Sequence, residues 1–479
     1  MALLMFLVLT QAGAQAQTDS GQQPGDNSQA AGTPSASPDQ PSTPTIGVEN
    51  PPLTGLDAPG LETNAAPRSF LVPGVELSEA LDSNIGSQSA SAAVHSATRL
   101  LGSLAVQRFW SKYEVAADYV GGGAFYNTQG VGAQQVHSVE AEGRRRWQTG
   151  QLALREVFSY LPEGSFGFGA YGGAGAYGGY RSALGGLGFG LPAGGFGGQL
   201  DFFGASQFGS LGQEPRISNT ALADIVEDLS PRSSITVAGS YGLVHFTDNP
   251  LNLIDSRQTS AQVGYNYEFT RRDQIAVLYG FQSFHFPSLG GAETFNTNLI
   301  NLLYGHRISG RLDFVIGGGP QITRINDPFF GHSSRVSGSG RASLRYHFPK
   351  ASVGLSYDHY NTSGSGFFAG ARTDVAHATL TRPVGRKWDG MLDIGYAHNK
   401  RLQQSFLGIN ADSSTYGYAG GALRRQLGRE FGAFLSYQFN YQVFDSSFCG
   451  AGNAVCNRIS NRHVLAVGLD WHPRPIRLD

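Results

Sequence analysis

Between residues 69 and 472 the chain repeatedly alternates apolar and polar side chains with a period of two, over stretches of ten residues or more. In 431–443, FGAFLSYQFNYQV, the odd positions carry Phe431, Ala433, Leu435, Tyr437, Phe439, Tyr441 and Val443. The even positions carry Gly432, Phe434, Ser436, Gln438, Asn440 and Gln442. A strand sends successive side chains to opposite faces, so this segment has one apolar face and one mostly polar face. Segment 335–348 repeats the pattern, with Val336, Ala342, Leu344, Tyr346 and Phe348 opposed by Arg335, Ser337, Ser339, Arg341, Ser343 and Arg345. Segment 261–269 does so again. Strands of soluble sheets average about five or six residues. Alternations twice that long, bounded by turns, are what a barrel wall needs when lipid lies on one side and water on the other. A soluble sandwich would alternate over shorter strands, and a β-solenoid would need a fixed short repeat, which is absent.

The connections set the strand number. Eight are tight, around residues 110–111, 148–150, 230–232, 270–272, 309–310, 349–350, 383–385 and 427–429. They alternate with nine longer, more polar or Gly-rich ones near 84–96, 127–132, 161–213, 246–256, 284–293, 324–334, 361–366, 399–411 and 445–460. Short turns on one rim and long loops on the other predict a closed antiparallel transmembrane β-barrel of about 18 strands, both chain ends on the short-turn side. The number falls to 16 if 69–83 is not a strand. Trp110, Trp147, Trp388 and Trp471 all fall within a few residues of that rim. Tryptophan belongs at headgroup level, where its ring is apolar and its N–H is wet.

The first 67 residues read differently. Residues 2–9 (ALLMFLVL) are apolar and are followed by small residues with A-x-A sites, so 1–16 reads as a secretory signal peptide. Residues 17–67 contain nine prolines and no Lys or Arg, among Gln, Ser, Thr and Gly. Such a stretch cannot by itself bury enough apolar surface to offset its ordering entropy, and it is expected to be a disordered periplasmic linker. The barrel domain is then 68–479. With 66 Gly in 479 residues, about twice the usual share, a helix-rich fold is excluded. A net charge of -2 argues against a nucleic-acid partner. No apolar run beyond the leader approaches the ~18 residues of a membrane-spanning helix.

The terminal aromatic-bearing strand, the alternation and the rim asymmetry resemble a Gram-negative outer-membrane β-barrel. Residues 72–84, VPGVELSEALDSN, are similar to the opening of porin-like barrel families. The Gly-rich insert after FSYLPEGSFGFG at 158–169 resembles that of barrels of acidobacterial type. The resemblance implies outer-membrane lipid and lipopolysaccharide as surroundings, and the barrel-assembly machinery and periplasmic chaperones as partners. It implies small solutes as cargo and no cofactor.

Within the polar faces, arginine is the candidate site chemistry. Arg335, Arg341 and Arg345 share one strand face; Glu140, Glu142, Arg144 and Arg146 share another, and Arg155 faces inward from the next. Inward charges set channel selectivity, unless they merely neutralise one another across a wet interior. Loop 161–213 holds Gly167, Gly169 and Gly172 in dinucleotide-fingerprint spacing. That motif requires a strand-to-helix turn, which this low-complexity tract does not offer. The loop is either a surface loop or an inward constriction. Cys449 and Cys456, the only cysteines, are expected to form a local disulfide after export. His332 and Ser333 are the only hint of a hydrolase, with no third partner to orient them. The twelve His show no metal-ligand spacing. The expected function is therefore passive diffusion of small hydrophilic solutes through a water-filled barrel. The competing reading is a non-conducting barrel with a structural, adhesive or receptor role through its loops.

Overall fold

The computed structural model describes residues 52–55, 69–84, 94–127, 133–161, 216–247, 253–287, 293–327, 331–348, 351–364, 366, 368–385, 387–403, 411–445 and 458–478. The signal peptide, nearly all of the Gly-rich loop and both cysteines lie outside them. In chain order the strands are β1 (Phe70–Asp82), β2 (His95–Phe109), β3 (Tyr113–Tyr126), β4 (Ala133–Arg146), β5 (Gly150–Leu161) and β6 (Arg216–Ser230). There follow β7 (Ser233–Phe246), β8 (Ser256–Glu268), β9 (Asp273–Phe286), β10 (Glu293–Ser309), β11 (Leu312–Asp327) and β12 (Gly331–Phe348). The wall is completed by β13 (Ala351–Thr362), β14 (Ala371–Val384), β15 (Trp388–Arg401), β16 (Ser413–Gln426), β17 (Phe431–Phe444) and β18 (Ile459–Trp471), with a two-residue β19 (Ile476–Arg477).

From β1 to β18 each strand pairs antiparallel with its chain neighbours, and β1 closes the sheet on β18 in register Val75↔Trp471 to Asp82↔Val464. The tail turns back so that β19 extends that seam, pairing Phe70↔Arg477 and Leu71↔Ile476. Eighteen strands thus form the wall, and 69–83 is one of them. Closure joins the two outermost strands of the wall, as is required where hydrocarbon offers no hydrogen bonds.

Burial is inverted relative to a water-soluble barrel. Val336 is 71% exposed, Leu302 62%, Val467 56% and Ile394 55%, all pointing outward. Gln258, Gln321 and Asp393, pointing inward, are 0% exposed. Leucine, valine and isoleucine left bare in such numbers are stable only against lipid. All four tryptophans sit on the outer face at the short-turn rim, with 38–47% exposure. Arg108 and Arg425 lie over the rings of Trp110 and Trp388 at 4.8 and 5.3 Å.

A second belt marks the long-loop side. Here outward tyrosines bond outward polar groups: Tyr119 Oη with His137 (3.0 Å), Tyr279 Oη to Asn298 (2.8 Å), Tyr357 Oη to Asp374 (2.7 Å) and Tyr437 Oη with His463 (2.8 Å). Trp388 in the first belt and His398, at the level of the second, lie on one face of β15, ten residues apart. At a rise of about 3.3 Å per residue and a tilt near 40°, that is about 25 Å, the height of an outer-membrane apolar band.

Candidate functional site in the barrel lumen

The inward face is polar because the same alternation that sends Leu and Val to lipid leaves Gln, Asn, Thr, Ser and the charged residues inside. Uncharged groups form hydrogen-bonded runs across neighbouring strands. Thr297 and Thr323 hydroxyls are 2.9 Å apart, and Asn361 Nδ2 donates to Thr323 (2.7 Å). Thr362 meets Thr373 (2.9 Å), which donates to Asn399 (2.8 Å).

The charged groups are mostly paired. Glu142 on β4 bridges two guanidinium groups: Arg144 Nη2 donates to its Oε1 (2.8 Å) and the buried Arg155 of β5 to its Oε2 (2.9 Å). Arg146, exposed near the short turn, lies 3.5 Å from Glu114 of β3. Glu140 occupies the same face of β4 by register, opposite Val157. On β12, Arg341 lies 3.7 Å from Asp358 of β13. Arg345 is half-buried further toward the short turns, and Arg335 is exposed toward the long loops. The structure therefore brings Glu142, Arg144 and Arg155 into one cluster, while the three β12 arginines share a face on the opposite side of the barrel.

Reading single strands missed the groups that complete these networks. His377 Nε2 lies 2.8 Å from Asp393 Oδ1, which also accepts from Tyr418 Oη (2.7 Å). Arg424 donates to Asp470 (2.6 Å), and Asp82 is paired with Arg462 across the closing seam. Each stands on the polar face of its own alternation, which is the signal that would have found them. His332 and Ser333 project from opposite faces of β12, with His332 Nδ1 on Asn326 (2.7 Å), so they do not form a base–nucleophile pair.

Toward the long loops the lumen changes character. The connection between β13 and β14 leans inward, and Phe368, 2% exposed, packs with Val244, Phe246, Leu253, Ala411 and Phe444. Its neighbour Ala369 belongs to a second cluster with Ile254, Phe284, Phe286, Phe295 and Ile325. Ile254 N–H donates to Gly366 O (2.7 Å) and Leu402 N–H to Gly370 O (3.2 Å). Gly366 and Gly370 have φ of 85° and 76°, a region that favours glycine, and so let the segment double back. The contacts reach from β13–β14 to β7, six strands away, so they cross the lumen. This is an apolar constriction built by residues 362–364, 366 and 368–370; the inward reading of 161–213 falls outside the described residues. We expect Phe368→Ala, in a channel that conducts, to raise single-channel conductance in planar bilayers. An unchanged value would show that the narrow point lies elsewhere.

The architecture defined by these features is a transmembrane β-barrel of the outer-membrane type. Among solved structures, the chain is similar to OccK2 (OpdF) of Pseudomonas aeruginosa, with a TM-score of 0.41 at 10% identity, over 85% of this chain and 99% of that one. It is similar to OpdK of the same organism, solved with vanillate, with a TM-score of 0.40 at 11% identity, over 84% and 99%. It is also similar to the ferric-catecholate import receptor Fiu of E. coli K12, with a TM-score of 0.38 at 9% identity, over 84% and 81%. No protein-family model and no curated protein matches the chain.

Proposed function

We propose that this chain is an outer-membrane channel through which small hydrophilic solutes diffuse passively. One observation carries the reading: a closed wall of eighteen strands with its apolar face outward and its hydrogen-bonding face inward. A closed sheet of this strand number, with strands about 4.8 Å apart and tilted near 40°, is about 35 Å across between backbones. Side chains alone do not fill such a space. The pairing of Glu142 with Arg144 and Arg155, and of Arg341 with Asp358, supports selection by size and hydrogen bonding more than by net charge. On this reading 1–16 directs export, the assembly machinery and periplasmic chaperones deliver the barrel, and a Cys449–Cys456 disulfide ties the last long loop. The Gly-rich insert marks it as a barrel of acidobacterial type.

The test is reconstitution of the full-length protein, its folding checked by heat-modifiable electrophoretic mobility. Stable conductance steps in planar bilayers, with swelling of proteoliposomes in small neutral sugars, are expected. Electrical silence from well-folded protein would reject the channel and favour a structural or receptor barrel.

A further inference from the structure

Residues 17–67 read from sequence as a disordered linker, yet within 52–55 (Pro-Leu-Thr-Gly) Leu53, Thr54 and Gly55 are buried against the inside of the barrel wall. Leu53 is 8% exposed and Thr54 0%. The segment is a tight turn, closed by Gly55 N–H donating to Pro52 O (3.0 Å). Thr54 is bonded at each of its polar groups. Its N–H donates to Asn266 Oδ1 (3.1 Å), and its carbonyl accepts from Gln262 Nε2 (2.8 Å). Its hydroxyl accepts from Asn266 Nδ2 (2.7 Å) and meets the Thr236 hydroxyl at 2.6 Å. The single amide of Asn266 thus reads the backbone and the side chain of one residue together. Leu53 enters an apolar hollow with Ala276 and Leu303, against Val315.

The wall is shaped for this occupant. A Cβ on Gly264 would lie 2.3 Å from the Thr54 hydroxyl, and one on Gly305 would lie 2.7 Å from Leu53 Cδ2. Both glycines face inward, where any larger residue would fill the space that the peptide takes. Ala276 and Leu303 are inward apolar residues, and Leu53 packs on them. The contributing strands, β7 to β11, are consecutive, and the contacts run from mid-strand toward the short turns. We propose that this wall is a peptide-binding seat for a Leu-Thr-Gly turn, occupied in cis by residues 52–55, which moors the N-terminal segment inside the lumen. A few hydrogen bonds and one buried leucine are opposed by the entropy of ordering the turn, so the mooring is reversible rather than part of the permanent core.

The seat is tested in the full chain, folded in lipid, with both native cysteines replaced by serine and Thr54→Cys paired with Thr236→Cys. Mild oxidation should link the two, read by mass spectrometry of the joined peptides. Leu53→Asp leaves the barrel wall untouched and should slow cross-linking by about tenfold or more, the weight of one leucine side chain withdrawn from an apolar pocket. Gly264→Val should do the same, while Gly338→Ala, on the outer wall with open space around it, should not. No cross-link in the parent pair, or an undiminished rate in Leu53→Asp, overturns the proposal. If the proposed channel conducts, Leu53→Asp should also raise its conductance. A protein that never conducts would sink the channel reading and leave the cross-linking result standing.

Discussion

Arg462→Leu is expected to destabilise the folded barrel by about 3–5 kcal/mol, the cost of leaving one member of a buried ion pair without its partner. Asp82 and Arg462 have side chains 3% and 6% exposed and meet across β1 and β18, the seam on which closure depends. The same corner is laced by His463 N–H donating to Ser83 Oγ (2.9 Å) and Asn84 Nδ2 donating to Asn461 O (3.0 Å). Removing the guanidinium strands the Asp82 carboxylate in a place that water reaches poorly. The double variant Asp82→Leu/Arg462→Leu should recover most of the loss, because it strands neither charge and packs apolar groups in their place. Denaturant titration in lipid vesicles, followed by tryptophan fluorescence, measures both. If the two single-variant losses simply add in the double variant, the pair is not coupled and the seam is held by its backbone ladder alone.

The strand count, the short turns, the face on which each side chain lies and the tryptophan belt were legible in the sequence; the long connection expected at 324–334 was not, because β11 runs on to Asp327 and β12 starts at Gly331. They depend on local periodicity, which a linear reading sees directly. Partners across strands were not legible. Asp393 lies 16 residues from His377 and 25 from Tyr418, and only the register of β14, β15 and β16 brings the three together. Alternation says that each points inward but not what it meets. The same limit explains Glu142: its place beside Arg144 is visible along β4, whereas its bond to Arg155 needs the β4–β5 pairing Glu142↔Arg155.

The N-terminal segment shows a different blind spot. Composition speaks only to whether 17–67 has the apolar surface to fold by itself. It is silent on whether a wall assembled 180 to 260 residues downstream supplies that surface ready-made. Gly264 and Gly305 read locally as residues that weaken a strand; in three dimensions they are the vacancies into which Thr54 and Leu53 fit. The constriction around Phe368 escaped notice for a related reason. Loop 161–213 draws attention by its glycine count, whereas the described narrowing rests on a short stretch around Phe368. Its phenylalanine and turn-forming glycines became meaningful only when set against β7 and β17.

If the outer wall faces hydrocarbon, an arginine placed there should cost far more than one placed on the inner wall. Leu302 stands on the outward face of β10, four residues from Asn298 in one interfacial belt and four from His306 toward the other, so it lies near the midplane. Leu302→Arg is expected to destabilise by about 2–4 kcal/mol, the range for arginine at that depth on the lipid face of a barrel. Ser337→Arg, inward on β12 and therefore facing the lumen, should cost well under half as much, since its guanidinium stays hydrated. In a water-soluble barrel the order would reverse: the exposed site would accept arginine and the interior would not. Unfolding of both variants in lipid vesicles decides the matter. Equal losses, or a greater loss at Ser337, would mean that the apolar face does not meet lipid, and the transmembrane reading would fall with it.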